Sequence, residues 1–113
     1  KGEMVDISSR CWLHARNHAD GILFVLQNGK SGEHYNITGE WASVKDIADM
    51  ISEFLGKPIN YTFEDFHSFR PGHDMHYGLD GSKLKELGWE PPIKLQPSLK
   101  KCVKWMLDNP KWL

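Results

Sequence analysis

The residues best suited to chemistry lie in one short segment, residues 69–77, which reads Phe-Arg-Pro-Gly-His-Asp-Met-His-Tyr. Its proline fixes φ and its glycine tolerates a positive φ, so the segment is predicted to contain a turn of defined shape. Such a turn can direct the guanidinium of Arg70 and the imidazole of His73 to the same side, where they suit a phosphate. The alternative is a surface turn in which Arg70 pairs with Asp65 or Asp74.

Composition narrows the functional class. The chain has 113 residues, 40% of them hydrophobic and 26% charged, which is typical of one globular domain. Its formal net charge of −1 argues against non-specific nucleic-acid binding. No apolar run approaches the length of a membrane helix, so no membrane partner is predicted. Cys11 and Cys102 lack metal-ligand spacing and are interpreted as free thiols in a reducing cytoplasm.

Other catalytic motifs are absent from the sequence. There is no Gly-rich phosphate loop, no Tyr-x-x-x-Lys pair and no G-x-S-x-G element. His14 and His18 are four residues apart but lack a third ligand, so no metal site is predicted. The histidines at 67, 73 and 76 are better explained as hydrogen-bonding groups of a turn. The chain by itself therefore lacks a complete catalytic set.

Hydrophobic periodicity predicts a small mixed α/β domain. Short strands at 34–37 and 59–64 flank a helix, and this spacing predicts a βαβ unit with parallel strands. Amphipathic helices are predicted at about 17–28, 43–55, 82–87 and 97–108.

Local signals place the ends of these helices. Ser43 followed by Asp46 forms the Ser-x-x-acid pattern of a capping box. Asn17 is predicted to cap the first helix. The first helix carries an apolar stripe that is predicted to be well buried, and it consists of Ala19, Ile22, Leu23 and Leu26.

Several segments of the sequence resemble those of a known family. Arg70-Pro71-Gly72-His73-Asp74, with Tyr77 and the Glu86-Leu87-Gly88-Trp89 run, is similar to the C-terminal part of dTDP-glucose 4,6-dehydratases. Those enzymes are extended short-chain dehydrogenase/reductases that act on nucleotide sugars. Upstream, Arg10-Cys11-Trp12-Leu13-His14 and Gly32-Glu33-His34-Tyr35-Asn36-Ile37 resemble two further segments of the same family, in the same order.

The resemblance implies that residues 1–113 form the nucleotide-sugar-binding C-terminal lobe of an NAD-dependent lyase. The family's Rossmann domain, which binds NAD and carries the catalytic residues, is absent from this chain, so no cofactor or catalytic residue is expected in it. The substrate-binding residues implied by the match are Arg10, Asn36, Ser43, Arg70 and His73. Arg10 and Arg70 would clamp the diphosphate, and the start of the helix at Ser43 would add backbone donors.

Several alternatives stay open at the sequence level. Epimerases and decarboxylases of nucleotide sugars share this lobe. The chain could also be a stand-alone nucleotide-binding or protein-interaction domain without catalysis. Cys11 stands where the family has Asp and Ser43 where it has Asn, so neither the base nor the sugar is specified. Apolar surface left bare by the missing domain predicts self-association.

Overall fold

The computed structural model describes residues 8–62, 68 and 71–113. It is a small mixed α/β structure, as the sequence predicts. The strands are β1 (Ser9–Trp12), β2 (Glu40–Ser43) and β3 (His76–Tyr77). The helices are α1 (Ala15–Asn28), α2 (Val44–Leu55), α3 (Ser82–Glu86) and α4 (Leu95–Asp108), followed by a 3₁₀ turn at Pro110–Trp112. None of the helices in these ranges is long and apolar enough to cross a membrane.

The four predicted helices are confirmed to within about two residues at each end. α1 begins earlier than predicted because His14, rather than Asn17, caps it through a bond from the Arg16 amide to His14 Nδ1 at 3.0 Å. The prediction for Asn17 is therefore wrong. Its side chain is buried and donates to the carbonyl of Ile93 at 2.7 Å, which ties α1 to the segment before α4.

The sheet differs from the predicted βαβ unit. β1 is central; it pairs antiparallel with β2 and parallel with β3. Residues 34–37 form no strand, and the strand on this part of the chain is Glu40–Ser43. Residues 59–62 are not in a strand either, while residues 63 and 64 lie outside the described part.

A physical reason for the misplaced strand is visible in the contacts of the 34–37 segment. Tyr35 accepts from the amide of Lys30 at 2.9 Å, and Asn36 donates to the carbonyl of Asp80 at 3.1 Å. Ile37 packs against Gly21 of α1, whose added Cβ would come within 2.7 Å of it. Side-chain contacts thus hold an extended segment that has no neighbouring strand. An alternating sequence pattern does not by itself distinguish such a segment from a strand paired in a sheet.

The core is small. Its buried hydrophobic residues are Ala42, Ile47, Leu84 and Trp89, each no more than 8% exposed. On α1 the buried residues are Asn17 and Gly21, whereas Ile22, Leu23 and Leu26 are 47%, 53% and 77% exposed. The expectation that this stripe is well buried is therefore wrong, because α1 packs through its opposite face.

Candidate nucleotide-binding site

Arg10 lies on the central strand β1 and is half-buried. Its guanidinium carbon stands 4.7 Å from the ring centroid of Tyr77, the residue opposite it on β3. This cation–π contact holds one face of the guanidinium against the ring and leaves its N–H edges free of the ring. Among the described residues, the guanidinium otherwise donates only one long bond, 3.5 Å, to the Ser9 carbonyl, which leaves most of its five N–H groups available to an anion.

The turn that contains His73 lies at the amino end of β1. The amide of Ser9 donates to the carbonyl of Met75 at 3.0 Å, and Ser9 is the register partner of His76. A turn at Pro71-Gly72 is confirmed, with Gly72 in the left-handed region at φ +83°. His73 follows it and is exposed. The turn therefore places an exposed imidazole near the strand that carries Arg10.

Arg70 lies outside the described residues. Its proximity to Arg10 is therefore still a prediction from the sequence. The described residues that follow Arg70, from Pro71 onward, lead into β3 and so approach the amino end of β1.

Ser43 ends β2 and caps α2. Its hydroxyl accepts from the amide of Asp46 at 3.0 Å, and its own amide donates to the Asp46 carboxylate at 3.0 Å, which confirms the predicted capping box. The hydrogen bonds from the Ser43 amide and hydroxyl lower the pKa of Asp46.

The capping box changes what the start of α2 can do. The amide of Val44 already donates to the Ser8 carbonyl at 2.9 Å, and the Asp46 amide is used by Ser43. The Asp46 carboxylate adds a negative charge at the same terminus, where it offsets the helix dipole. We therefore do not count the backbone of α2 among the phosphate donors.

Strand register separates two of the candidate residues. Ser43 pairs with Ser9, whereas Arg10 pairs with Ala42. Because neighbouring residues of a strand point to opposite faces, the side chains of Arg10 and Ser43 leave the sheet on opposite sides. The two lie on adjacent strands but do not form one surface.

Asn36 belongs to the other end of the sheet. The segment that follows it reaches the Trp12 end of β1, where a Cβ on Gly39 would lie only 1.7 Å from the Trp12 carbonyl oxygen. Asn36 lines a cavity of about 320 Å³ together with Thr38, Ser82, Lys85 and Trp89. Its amide is already used to hold Asp80. The structure thus pairs the strand that carries Arg10 with the strand that follows the His73 turn, and it leaves Asn36 at the other end of the sheet.

Three residues beside Arg10 escape the sequence-based choice of site: Ser9, Trp41 and His76. The Ser9 hydroxyl lies 2.5 Å from His76 Nδ1, and the rings of Trp41 and His76 have centroids 6.0 Å apart. These contacts join positions that are 67 and 35 residues apart in the sequence, so no local pattern indicates them. The one available signal is the two ring side chains that directly follow the turn, His76 and Tyr77.

Metal and dinucleotide sites were considered on the same residues. Across the described ranges, no three His, Cys, Asp or Glu side chains converge as metal ligands would. The sequence has no Gly-rich fingerprint, and the start of α2 is closed by its cap, so the residues present do not fit a dinucleotide.

Comparison with known proteins shows the family to which this chain belongs. The sequence profile described as GDP-mannose 4,6 dehydratase matches residues 5–102. The chain is 34% identical over 120 residues to dTDP-glucose 4,6-dehydratase 1 of Escherichia coli K12, covering all of this chain but 32% of that protein. It therefore spans about a third of the length of the curated relatives it matches.

Solved structures agree with the sequence comparison. The dTDP-glucose 4,6-dehydratase of Bacillus anthracis in complex with NAD matches 95% of this chain and 34% of its own, with a TM-score of 0.77 and 31% identity. That of Streptomyces venezuelae, with NAD and TYD bound, matches 95% of this chain and 33% of its own, with a TM-score of 0.76 and 30% identity. The chain matches about one third of the length of these relatives, and it belongs to the GDP-mannose 4,6-dehydratase family of NAD-dependent nucleotide-sugar enzymes.

Proposed function

We propose that this chain is the nucleotide-sugar-binding lobe of an NAD-dependent dTDP-glucose 4,6-dehydratase and that it grips the substrate diphosphate. The observation that carries the proposal is the position of Arg10, half-buried on β1 with its guanidinium stacked on Tyr77 of β3, the strand that follows the His73 turn. An arginine held in this way presents a planar set of donors to a phosphate with little further loss of side-chain entropy.

Charge favours a diphosphate at this position over a carboxylate or a neutral sugar. Arg10 forms none of the ion pairs found between described residues, all of which involve lysines. Arg70, one residue before the turn, would supply the second guanidinium, and the exposed His73 would donate to a phosphate or ribose oxygen. Two bidentate arginines match the two to three negative charges of a nucleoside diphosphate. Ser43 would act indirectly, by capping α2, and Asn36 likewise, by holding the chain at Asp80.

Isothermal titration of the chain with dTDP, and separately with UDP, tests the clamp. Hydrogen bonds to charged groups contribute about 1.5–3 kcal/mol, so Arg10→Ala and Arg70→Ala are each expected to weaken dTDP binding about tenfold to 100-fold. Arg16→Ala is the matched control, because Arg16 is an exposed arginine on α1, beyond the opposite end of β1. Equal affinity of wild type and both clamp variants would overturn the proposal.

The wider activity extends the same proposal beyond this chain. NAD would be bound by a Rossmann domain that is not among these residues, and that domain would carry the catalytic groups. The exposed stripe on α1 supports such a partner, since Ile22, Leu23 and Leu26 are each about half or more exposed. A lobe of this kind acts by positioning: it holds the nucleotide so that the hexose meets the nicotinamide.

The proposed compartment is the cytoplasm. Among the described residues both cysteines are unpaired, Cys11 half-buried and Cys102 exposed. An exposed free thiol is most compatible with a reducing compartment. Fractionation of the source cell, followed by immunodetection of the chain, would check this.

A further inference from the structure

The strand β3 has little backbone support. It consists of His76 and Tyr77 only, and among the described strands its sole partner is β1. The hydrogen bond from the Ser9 amide to the Met75 carbonyl is one of the few that hold it. A parallel strand of two residues is not stable through its ladder alone, so side chains must supply the remaining support.

Those side chains lie on both faces of the sheet. On one face Tyr77 packs under the guanidinium of Arg10. On the other face the Ser9 hydroxyl, in a residue only 4% exposed, contacts His76 Nδ1 at 2.5 Å. This bond satisfies a buried hydroxyl that would otherwise be costly to leave unpaired.

Trp41 covers the Ser9–His76 pair from the neighbouring strand. Its ring lies 6.0 Å from the His76 ring, tilted by 41°. The same indole rests on the backbone that follows β3, where a Cβ on Gly78 would come within 2.7 Å of it. The indole therefore shields one side of the Ser9–His76 bond, although the imidazole as a whole remains exposed.

We infer that Ser9 and His76 are positioning residues: their hydrogen bond holds the turn that carries His73 against the strand that carries Arg10. The inference rests on the proposed function for its effect on nucleotide binding. His73 is three residues before His76, and Arg70 is three residues before His73, so the chain between clamp and sheet is short. Releasing His76 from Ser9 lets the turn move relative to Arg10 without removing any group that touches the nucleotide.

The chemistry of the imidazole provides a matched pair of variants. The amide of asparagine reaches the position of Nδ1, whereas that of glutamine reaches the position of Nε2. His76→Asn therefore keeps a polar group at this position that can accept from or donate to the Ser9 hydroxyl, and His76→Gln does not. Because His76 is exposed, neither change is expected to disturb the core. Ser9→Ala removes the same bond from the other side, and a thermal melt establishes that each variant is folded.

Two measurements on the whole chain test the inference. Hydrogen exchange at the Ser9 amide reports the pairing of β1 with β3, and titration with dTDP reports the clamp. The loss of one hydrogen bond is expected to change the exchange rate and the dissociation constant for dTDP by about two- to tenfold. His76→Gln and Ser9→Ala are expected to speed exchange and weaken dTDP binding by that factor while remaining folded at the assay temperature, and His76→Asn is expected to stay close to wild type.

The outcomes separate this inference from the proposed function. Wild-type exchange and wild-type affinity in both His76→Gln and Ser9→Ala would overturn the positioning role. Equal losses in His76→Asn and His76→Gln would also overturn it, because a polar group at the position of Nδ1 would then be irrelevant. If wild type does not bind dTDP at all, the proposed function fails, and the exchange rate of the Ser9 amide still decides whether the bond holds the turn.

Discussion

Asp46 makes the start of α2 sensitive to acid at the scale of a single residue. Hydrogen bonds from Ser43 lower the pKa of its carboxyl from an ordinary 3.8. A group whose pKa is lower in the folded state stabilises the fold above its unfolded pKa and loses that contribution as pH falls through the folded value. Asp46→Ala is therefore expected to be less stable than wild type at pH 7, with a difference that shrinks below about pH 4.

Urea unfolding followed by circular dichroism at pH 7 and at pH 3 measures this difference. Asp49→Ala is a suitable control, since Asp49 lies on the same helix but pairs only with Lys45 on the surface. A difference between Asp46→Ala and wild type that is the same at both pH values would show that the carboxylate is not the relevant group.

Ser43 supplies the half of the capping box that does not depend on pH. Replacing an N-cap serine by alanine costs about 1 kcal/mol. Ser43→Ala is therefore expected to lower the free energy of unfolding by that amount at pH 7, measured by the same urea titration. An unchanged free energy of unfolding would mean that the first turn of α2 is held by Val44 and its neighbours alone.

At the scale of elements, the contact between Gly39 and β1 explains how the chain returns to the sheet. A Cβ at Gly39 would lie 1.7 Å from the Trp12 carbonyl oxygen, a backbone atom that cannot rotate away. Gly39→Ala is expected to destabilise the fold by about 1–3 kcal/mol or more. Gly32→Ala is the matched comparison, because it meets no atom within 4 Å and carries only the strain of φ +82°.

Thermal melts of the two glycine variants distinguish these causes. Overpacking against β1 predicts a clearly larger loss for Gly39→Ala than the roughly 1–2 kcal/mol of strain at Gly32. Equal losses would mean that the segment before β2 can shift away from Trp12 at little cost.

The same elements show what the sequence could and could not reveal. The helices were predictable because a capping box, a Gly stop and a 3.6-residue period all act within a few positions. Residues 34–37 were assigned wrongly because a strand requires a neighbour, and here α1 and Asp80 supply the contacts instead. Ser9 and His76 are 67 positions apart, so no local sequence pattern indicates their hydrogen bond. The resemblance of residues 10–14 to the family indicated Arg10, but its contact with Tyr77 could not be inferred without the register of β1 against β3.

At the scale of the whole molecule, the chain exposes more surface than its size requires. The accessible area is 8460 Å², whereas a compact monomer of this mass exposes roughly 6,300 Å². Part of the excess is the α1 stripe, in which Ile22, Leu23 and Leu26 face outward, with Leu26 four residues after Ile22 and three after Leu23. A stripe with the periodicity of a core face, left uncovered, is expected to bind another apolar surface.

In the isolated chain, that surface is expected to belong to a second copy. Sedimentation velocity over a range of concentrations should show reversible self-association of wild type. Leu23→Lys with Leu26→Lys should abolish it, because two charges would lose their hydration in the interface. Gln27→Lys adds charge at an exposed polar position of the same helix and should leave association intact. Both leucines are more than half exposed, so the melting temperature of the double variant should not fall.

A wild-type chain that stays monomeric at high concentration would show that the stripe is tolerated in water. In that case its exposure would no longer support a covering domain, and the proposed lobe would depend on Arg10 and the His73 turn alone.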